Sequence, residues 1–568
     1  MRSRSVGLPV GIGPPDAALT KGWSGAMVKL TGGQALVQSI KREGIDTIFG
    51  LPGVQLDWAF DALYAEQDNI KVYHTRHEQA TSYMADGFAR ATGKVGTCLI
   101  VPGPGLLNAA AGLSTAYACS SPVLCLTGQI RSDLIGVGRG ELHEIPNQLE
   151  MLSSVTKWAA RAMNPAEVPG LVREAFKQLR TGRPRPVALE IPPDVLQMEA
   201  EVELLDAYQA ERLAPDMDAI KRAAALLAKA ERPAFFVGSG IFRAEAWEEL
   251  RELAEALEAP VIMSSNGRGA LSDRHYLALN SIAGQRYAQN ADLICAVGSR
   301  FVQPTAWWGL PESVPVVQLD VDGEEVGRNR KPTVGIVGDA KLGLAALRAE
   351  IDGAAGKRAS KEKELRALKE EVDDLLHEIQ PQAAFAGAIR EALPDDGIVV
   401  NESTQVGYWS SAGFPVYEPR TFIGSGYQGT LGFGYATALG VQVGMPERKV
   451  VSINGDGGFG YNIQEFSTVK AHGINVVAVV FDDGAFGNVK RIQQQSFNGR
   501  TIASTLVNPD WVKFAESFGV AGMLAKTPDE LQGALKEAFA SNAPALIAVP
   551  VGEMPSMWHL MRPQPARR

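Results

Sequence analysis

Cysteine is scarce in this chain: its 568 residues hold four (Cys98, Cys119, Cys125 and Cys295), with no CxxC pair and no zinc-type spacing. That excludes a disulfide scaffold and a thiolate-held structural metal, and it fits buried thiols in a reducing compartment, the cytoplasm. A Cys119–Cys125 bridge is the one pairing left open, and apolar surroundings weigh against it. No stretch of about 18 uncharged apolar residues occurs, so no membrane-spanning helix is expected. Long basic runs are also missing, and 55 Lys and Arg against 64 Asp and Glu leave a net charge of −9, which argues against a nucleic-acid partner. The Pro/Gly-rich start has arginines but no apolar h-region, so residues 1–27 read as a flexible extension rather than a secretory signal.

What is present is the composition of a globular enzyme, 45% hydrophobic and 21% charged. The length is too great for one core, and three domains are expected. They span 28–198, 210–350 and 383–553, with a helical linker over 351–382 and a tail over 554–568. Short apolar runs alternate with helical patterns throughout. In the first domain Thr31 caps a helix, and Thr47–Phe49, Lys71–Thr75, Gly96–Val101 and Val123–Thr127 read as strands. In the second, Ala234–Val237, Val261–Ser264, Leu293–Val297 and Val316–Asp320 do so. The expectation is an α/β protein of three doubly wound parallel-sheet domains.

The densest signal is Val450–Asn488. Val450–Ile453 reads as a strand, Gly455-Asp456-Gly457-Gly458 as a tight turn, Ile463–His472 as a helix and Asn475–Phe481 as a second strand, closed by Asp482-Asp483-Gly484. A carboxylate then stands at the C-terminal end of each strand, where open α/β sheets bind ligands. Asp456 and Asp483 are one crossover apart, and two hard oxygen donors suit Mg2+ or Ca2+, of which Mg2+ typically shares such a site with phosphates. The glycine N–H groups ahead of a helix favour an anion. A second candidate is Glu78, which opens a helix after Lys71–Thr75 beside His74, Arg76 and His77.

These segments resemble the thiamine diphosphate (ThDP) enzymes of the acetolactate synthase, pyruvate oxidase and benzoylformate decarboxylase type. FGLPGVQLDWAFDALY, HTRHEQATSYMADGFARATGK, IVPGPGLLNAAAGLSTAYACSSPVLCLTGQ and RPRPVALEIPPDV carry the likeness in the first domain, and the GDG motif carries it in the third. Asp483 stands where that motif usually has Asn. The resemblance implies a pyrimidine-binding first domain, a central domain and a diphosphate-binding third domain. It implies that Glu78 hydrogen-bonds the aminopyrimidine N1′ and so promotes the ylide, which attacks a 2-oxo acid and gives an enamine after decarboxylation. Asp456, Asp483 and the Ala485 carbonyl would hold Mg2+. Gly457 and Gly458 would cradle the diphosphate, with Thr404 and Gln405 on its oxygens. The Gly429 carbonyl would accept from the 4′-amino group, Leu431 would wedge the bent cofactor, and Gly53 and Phe486 would complete its contacts. Each cofactor would sit between two subunits, making a homodimer the minimum and a homotetramer the expected form.

For the substrate, the resemblance points to Val54, Gln129, Asn488 and Ile492 as pocket residues and to His143 as a titratable catalytic side chain. Val54 and Val101 stand where the decarboxylases place a serine and a histidine, so carboligation of a 2-oxo acid with an aldehyde or second 2-oxo acid is the expected reaction. A non-oxidative decarboxylase or C–C lyase is the alternative, and a non-catalytic ThDP fold the third reading. Leu279–Asp292 is short for a flavin-lining stretch, which argues against FAD.

Overall fold

The computed structural model describes residues 26–352 and 358–561, so the expectations for 1–25, for 353–357 of the linker and for 562–568 of the tail lie outside the described residues. It has three parallel six-stranded sheets with helices packed on them, as the alternating pattern anticipated. The first runs in the spatial order Lys71–His74, Thr47–Gly50, Gly96–Ile100, Val123–Gly128, Val187–Ile191 and Trp158–Arg161. The third runs Phe422–Gly424, Ile398–Asn401, Val450–Gly455, Val477–Asp482, Ala545–Pro550 and Ala521–Leu524. Numbered along the chain, both follow one order: second, first, third, fourth, sixth, fifth. The middle sheet differs, with Ala278–Leu279, Val261–Met263, Pro233–Val237, Leu293–Val297, Val316–Asp320 and Val334–Val337 in the dinucleotide-fold order.

The central strands are continuous apolar runs because both faces are covered by helices; Val123–Gly128 and Leu293–Val297 are buried throughout. Of the strands in the six-stranded sheets that the sequence pattern did not name, Val187–Ile191, Ile398–Asn401 and Ala545–Pro550 are interior and the other five lie at sheet edges. Trp158–Arg161 is only half-buried, and Ala278–Leu279 has two residues. Met27, expected as the last residue of the flexible extension, instead opens a strand that pairs antiparallel with Glu199–Glu203 and ties the two ends of the first domain together. Thr31 does cap the helix Gly32–Arg42: its hydroxyl accepts the Gln34 N–H at 3.1 Å, and the Gln34 side chain accepts the Thr31 N–H at 3.0 Å. The four cysteines are free, and Cys98 stands opposite Cys125 on neighbouring strands.

The first and third domains of one chain join through the helices Glu78–Thr92 and Phe433–Gly444. A Cβ on Gly440 would lie 1.9 Å from the Met84 carbonyl oxygen, and one on Gly87 would lie 2.2 Å from that of Thr437. Only glycine allows this approach. Phe433 meets Tyr83 edge-on beside it. The segment expected as a tail from 554 is instead packed down: Met554, Met557 and Leu560 are buried, and Trp558 meets Tyr408. The linker carries the helix Glu362–His377, whose Leu365, Val372 and Leu376 face the core.

Candidate active site

Two clusters of functional side chains stand at the C-terminal edges of the first and third sheets. In the third domain, Asp456 follows the strand Val450–Gly455 and Asp483 follows the neighbouring strand Val477–Asp482. Gly455–Gly458 is not the tight turn expected from its glycines. Asp456–Phe459 is a helical turn entered from extended Gly455, and its glycines have ordinary negative φ. They are glycine for space instead. A Cβ on Gly457 would lie 2.7 Å from the Phe486 ring, and one on Gly458 2.4 Å from Glu402 Oε1. Gly455 likewise abuts Thr404, at 3.1 Å from its hydroxyl oxygen.

Burial pushes the Asp456 carboxyl up to about 7, and the charges of Asp483 and Asp482 add to the shift. Asp483 is raised for the same first reason, burial. Two desolvated carboxylates held together are the hard oxygen donors that a divalent cation takes. The antiparallel bridge of Ala485 to Thr505 is fixed by hydrogen bonds on the residues either side, Phe486 N–H to Ser504 and Leu506 N–H to Gly484. That leaves the Ala485 carbonyl out of the ladder as a third oxygen. The donor set therefore fits a hard divalent ion, although no cluster of three or more His, Cys, Asp or Glu side chains occurs among the described residues. Thr404 sits at the start of the helix Gln405–Gly413 without making a cap bond, so its hydroxyl remains for another acceptor or donor. Gly429 has φ +57° and open space around it, and Leu431 is partly exposed rather than a core residue.

In the first domain, Glu78 begins its helix under a cap from His77, whose Nδ1 accepts the Gln79 N–H. Its carboxylate accepts from Asn108 Nδ2 at 3.0 Å. Gly105 leaves room for it: a Cβ there would lie 3.2 Å from Glu78 Oε1. Val101 fills the space between Gly53 and Gly105. Val54 and Ile492 are exposed, and the Asn488 side chain accepts from Arg491, which also reaches Gln405. Gln129 was expected in the substrate pocket. It is buried, with its oxygen on the Ile130 N–H and its amide turned to Glu190. His143 lies at this edge, bonded to Gln55. No hydrogen bond or ion pair among the described residues joins Glu78 to the Asp456–Asp483 pair. A cleft of about 1080 Å3 lies elsewhere, between the first and middle domains.

Sequence reasoning missed two residues here. Asn508 donates to Asp456 Oδ2 at 2.6 Å and to Asp482 Oδ1 at 2.8 Å, orienting the carboxylate from a distant loop that carries no motif. Glu402 is buried, accepts the Gly432 N–H at 2.7 Å and has its other oxygen without a partner; burial pushes it up to about 7. Its signal was a carboxylate directly after the apolar strand Ile398–Asn401.

Comparison with known proteins agrees with this arrangement. The N-terminal TPP binding domain of thiamine pyrophosphate enzymes matches residues 30–151, their central domain 220–347 and their C-terminal TPP binding domain 402–549. The chain is 36% identical over 551 residues to a probable acetolactate synthase large subunit of Methanocaldococcus jannaschii, covering 92% of each. It is 34% identical to the acetolactate synthase large subunit of Haemophilus influenzae, over 90% of this chain and 93% of that one. It is 32% identical to a probable 2-ketoarginine decarboxylase of Pseudomonas aeruginosa, over 91% and 93%. With three domains matched in order and these relatives covered nearly end to end, the chain belongs to the thiamine pyrophosphate enzyme family.

Proposed function

We propose that this chain is a ThDP- and Mg2+-dependent carboligase that decarboxylates a 2-oxo acid and joins the remaining carbon to an aldehyde or a second 2-oxo acid. The observation that carries this reading is the Asp456–Asp483 pair beside Gly457 and Gly458, in a chain similar over nearly its whole length to acetolactate synthases. When bound, ThDP supplies the electron sink for decarboxylation. The chain's residues do the rest. Asp456, Asp483 and the Ala485 carbonyl would hold Mg2+, with Asn508 fixing Asp456. Gly457, Gly458, Thr404 and Gln405 would take the diphosphate. Gly429 and Leu431 would seat the cofactor's rings against Phe486 and Gly53, and Glu78 would hold a proton at the pyrimidine nitrogen.

The two clusters are supported as halves of a site closed by a second copy. Each is flanked by exposed apolar side chains: Val54, Leu107 and Leu142 beside Glu78, and Tyr461, Ile492 and Ile502 around the Asp pair. A homodimer is the minimum unit and a homotetramer the expected form, acting in the cytoplasm. FAD has no part in this reading. Leu279–Asp292 holds the helix Ser281–Ala288, whose Ile282, Ala283 and Tyr287 are buried in the domain's own core.

Purified protein with ThDP and Mg2+, given a panel of 2-oxo acids with and without aldehydes, tests the reading by mass spectrometry. An acyloin or acetohydroxy acid supports it, and turnover of no 2-oxo acid contradicts it. Release of free aldehyde alone would establish the second reading, decarboxylation, which is favoured by the chain's similarity to a probable 2-ketoarginine decarboxylase.

A further inference from the structure

Gln55 and His143 form a hydrogen-bonded pair that the rest of the site does not account for. Gln55 lies in the short turn Val54–Leu56 and is 6% exposed. Its neighbours hold it on the other side: a Cβ on Gly128 would lie 3.2 Å from the Gln55 Cβ. Its amide nitrogen donates to the Leu142 carbonyl at 3.1 Å, and its oxygen lies 3.1 Å from His143 Nδ1. His143 itself sits at φ +69°, a left-handed conformation that is strained for a residue with a side chain. Its carbonyl is pressed on the Gly103 turn, where a Cβ would lie 2.1 Å from it, and that turn runs on to Gly105 beside Glu78. The loop is thus pinned at three points on the edge that carries Glu78.

These bonds decide the state of the ring. Leu142 offers only an acceptor, so the nitrogen of the Gln55 amide must face it. The oxygen then faces His143, and because that oxygen can only accept, Nδ1 must carry the hydrogen. The neutral imidazole is left with a bare lone pair on Nε2, which no hydrogen bond among the described residues uses. We propose that Gln55 is a positioning residue that locks His143 as the Nδ1–H tautomer. Nε2 is then a hydrogen-bond acceptor that selects a substrate bearing a hydroxyl or N–H beyond its 2-oxo acid group. Carbonyl and carboxylate oxygens, which only accept, gain nothing there. This deepens the 2-oxo acid reading above and rests on it for the substrate class, but the tautomer itself does not.

The experiment has two readouts. The first is the nitrogen-15 spectrum of histidine-labelled full-length protein at pH 8, with the His143 signals assigned by their loss in His143→Phe. The expected result is hydrogen on Nδ1 in the parent protein, retained in Gln55→Glu, which keeps an acceptor, and shifted toward Nε2 in Gln55→Met. Hydrogen on Nε2 in the parent, or no change in Gln55→Met, overturns the proposal. The second is the ratio of kcat/KM for 3-hydroxypyruvate over pyruvate, and for 4-hydroxy-2-oxobutanoate over 2-oxobutanoate. At least one ratio is expected to favour the hydroxylated acid about tenfold and to fall toward unity in Gln55→Met through KM. Ratios equal in parent and variant overturn the specificity claim. The spectrum requires no turnover, so failure of the 2-oxo acid reading and failure of the tautomer lock are separable.

Discussion

The first and third domains share one strand order yet carry opposite chemistry at the same edge. The first offers the Glu78 carboxylate among Val101, Asn108, Gln55 and His143. The third gathers Asp456, Asp482, Asp483 and the buried Glu402 within one set of loops, two of them pushed up to about 7. The sheet sets where a site can form. The few residues after each strand set what it can hold, so one architecture used twice carries two different sets of side chains.

The sharpest way to break that contrast is to remove each half separately. Glu78→Gln keeps the size and the Asn108 contact but removes the titratable group. Turnover is expected to fall by about a thousandfold, within the range for losing a positioned acid–base group, with ThDP binding by tryptophan quenching preserved. Preserved turnover would remove Glu78 from the chemistry. Asp456→Ala should instead abolish Mg2+-dependent retention of ThDP on desalting, and unchanged retention would refute the metal assignment.

The join between the two domains gives the next effect. Gly440→Val places a branched side chain where a Cβ already lies 1.9 Å from the Met84 carbonyl oxygen. A loss of about 3 kcal/mol, the upper part of the range for overpacking, is expected in urea unfolding. A neutral result would mean that the helices are not closely packed.

Acidity should distinguish the halves more gently. Asp456 and Glu402 have folded-state values near 7, above their ordinary 3.8 and 4.5. Between about pH 4 and pH 7 these two carboxyls therefore hold more protons in the folded cofactor-free chain than in the unfolded one, and their contribution to stability should fall as pH rises through that window. Melting curves at pH 5.5 and 8 check the sign, and Glu402→Gln should flatten the difference. Mg2+ binding should show the reverse trend, weakening below pH 7 as protons compete for Asp456. The smallest effect belongs to the first domain's outer rim: Thr31→Ala removes an exposed cap and should cost about 1 kcal/mol.

Much of this was legible in the chain because its signals are local. Apolar runs such as Val123–Thr127 and Leu293–Val297 can only be buried strands, and Thr31 with Gln34 spells out a helix start. Asp456 and Asp483 could be paired because one crossover separates adjacent parallel strands. What escaped depends on distance in sequence. Asn508 reaches Asp456 from a loop 52 residues away, and Gln55 meets His143 across 88. The glycines of Gly455–Gly458 were recognised, but the reason for them was not. Glycine excused by φ and glycine excused by a neighbour such as Phe486 or Glu402 look alike in one dimension. The common order of the first and third sheets was also hidden, since strand order is set by burial pattern rather than by residue identity.

The central claim is that a working site takes Glu78 from one copy and Asp456 from another, and subunit mixing tests it most directly. Glu78→Gln and Asp456→Ala chains, each inactive alone, would be unfolded together in equal amounts and refolded with ThDP and Mg2+. Random pairing makes half the dimers mixed, each with one intact site. The account predicts recovery of roughly a quarter of parental activity, as closed two-fold pairing requires. Activity no higher than in either variant alone, with mixed dimers shown to be present, would place both residues in one chain's site and contradict it.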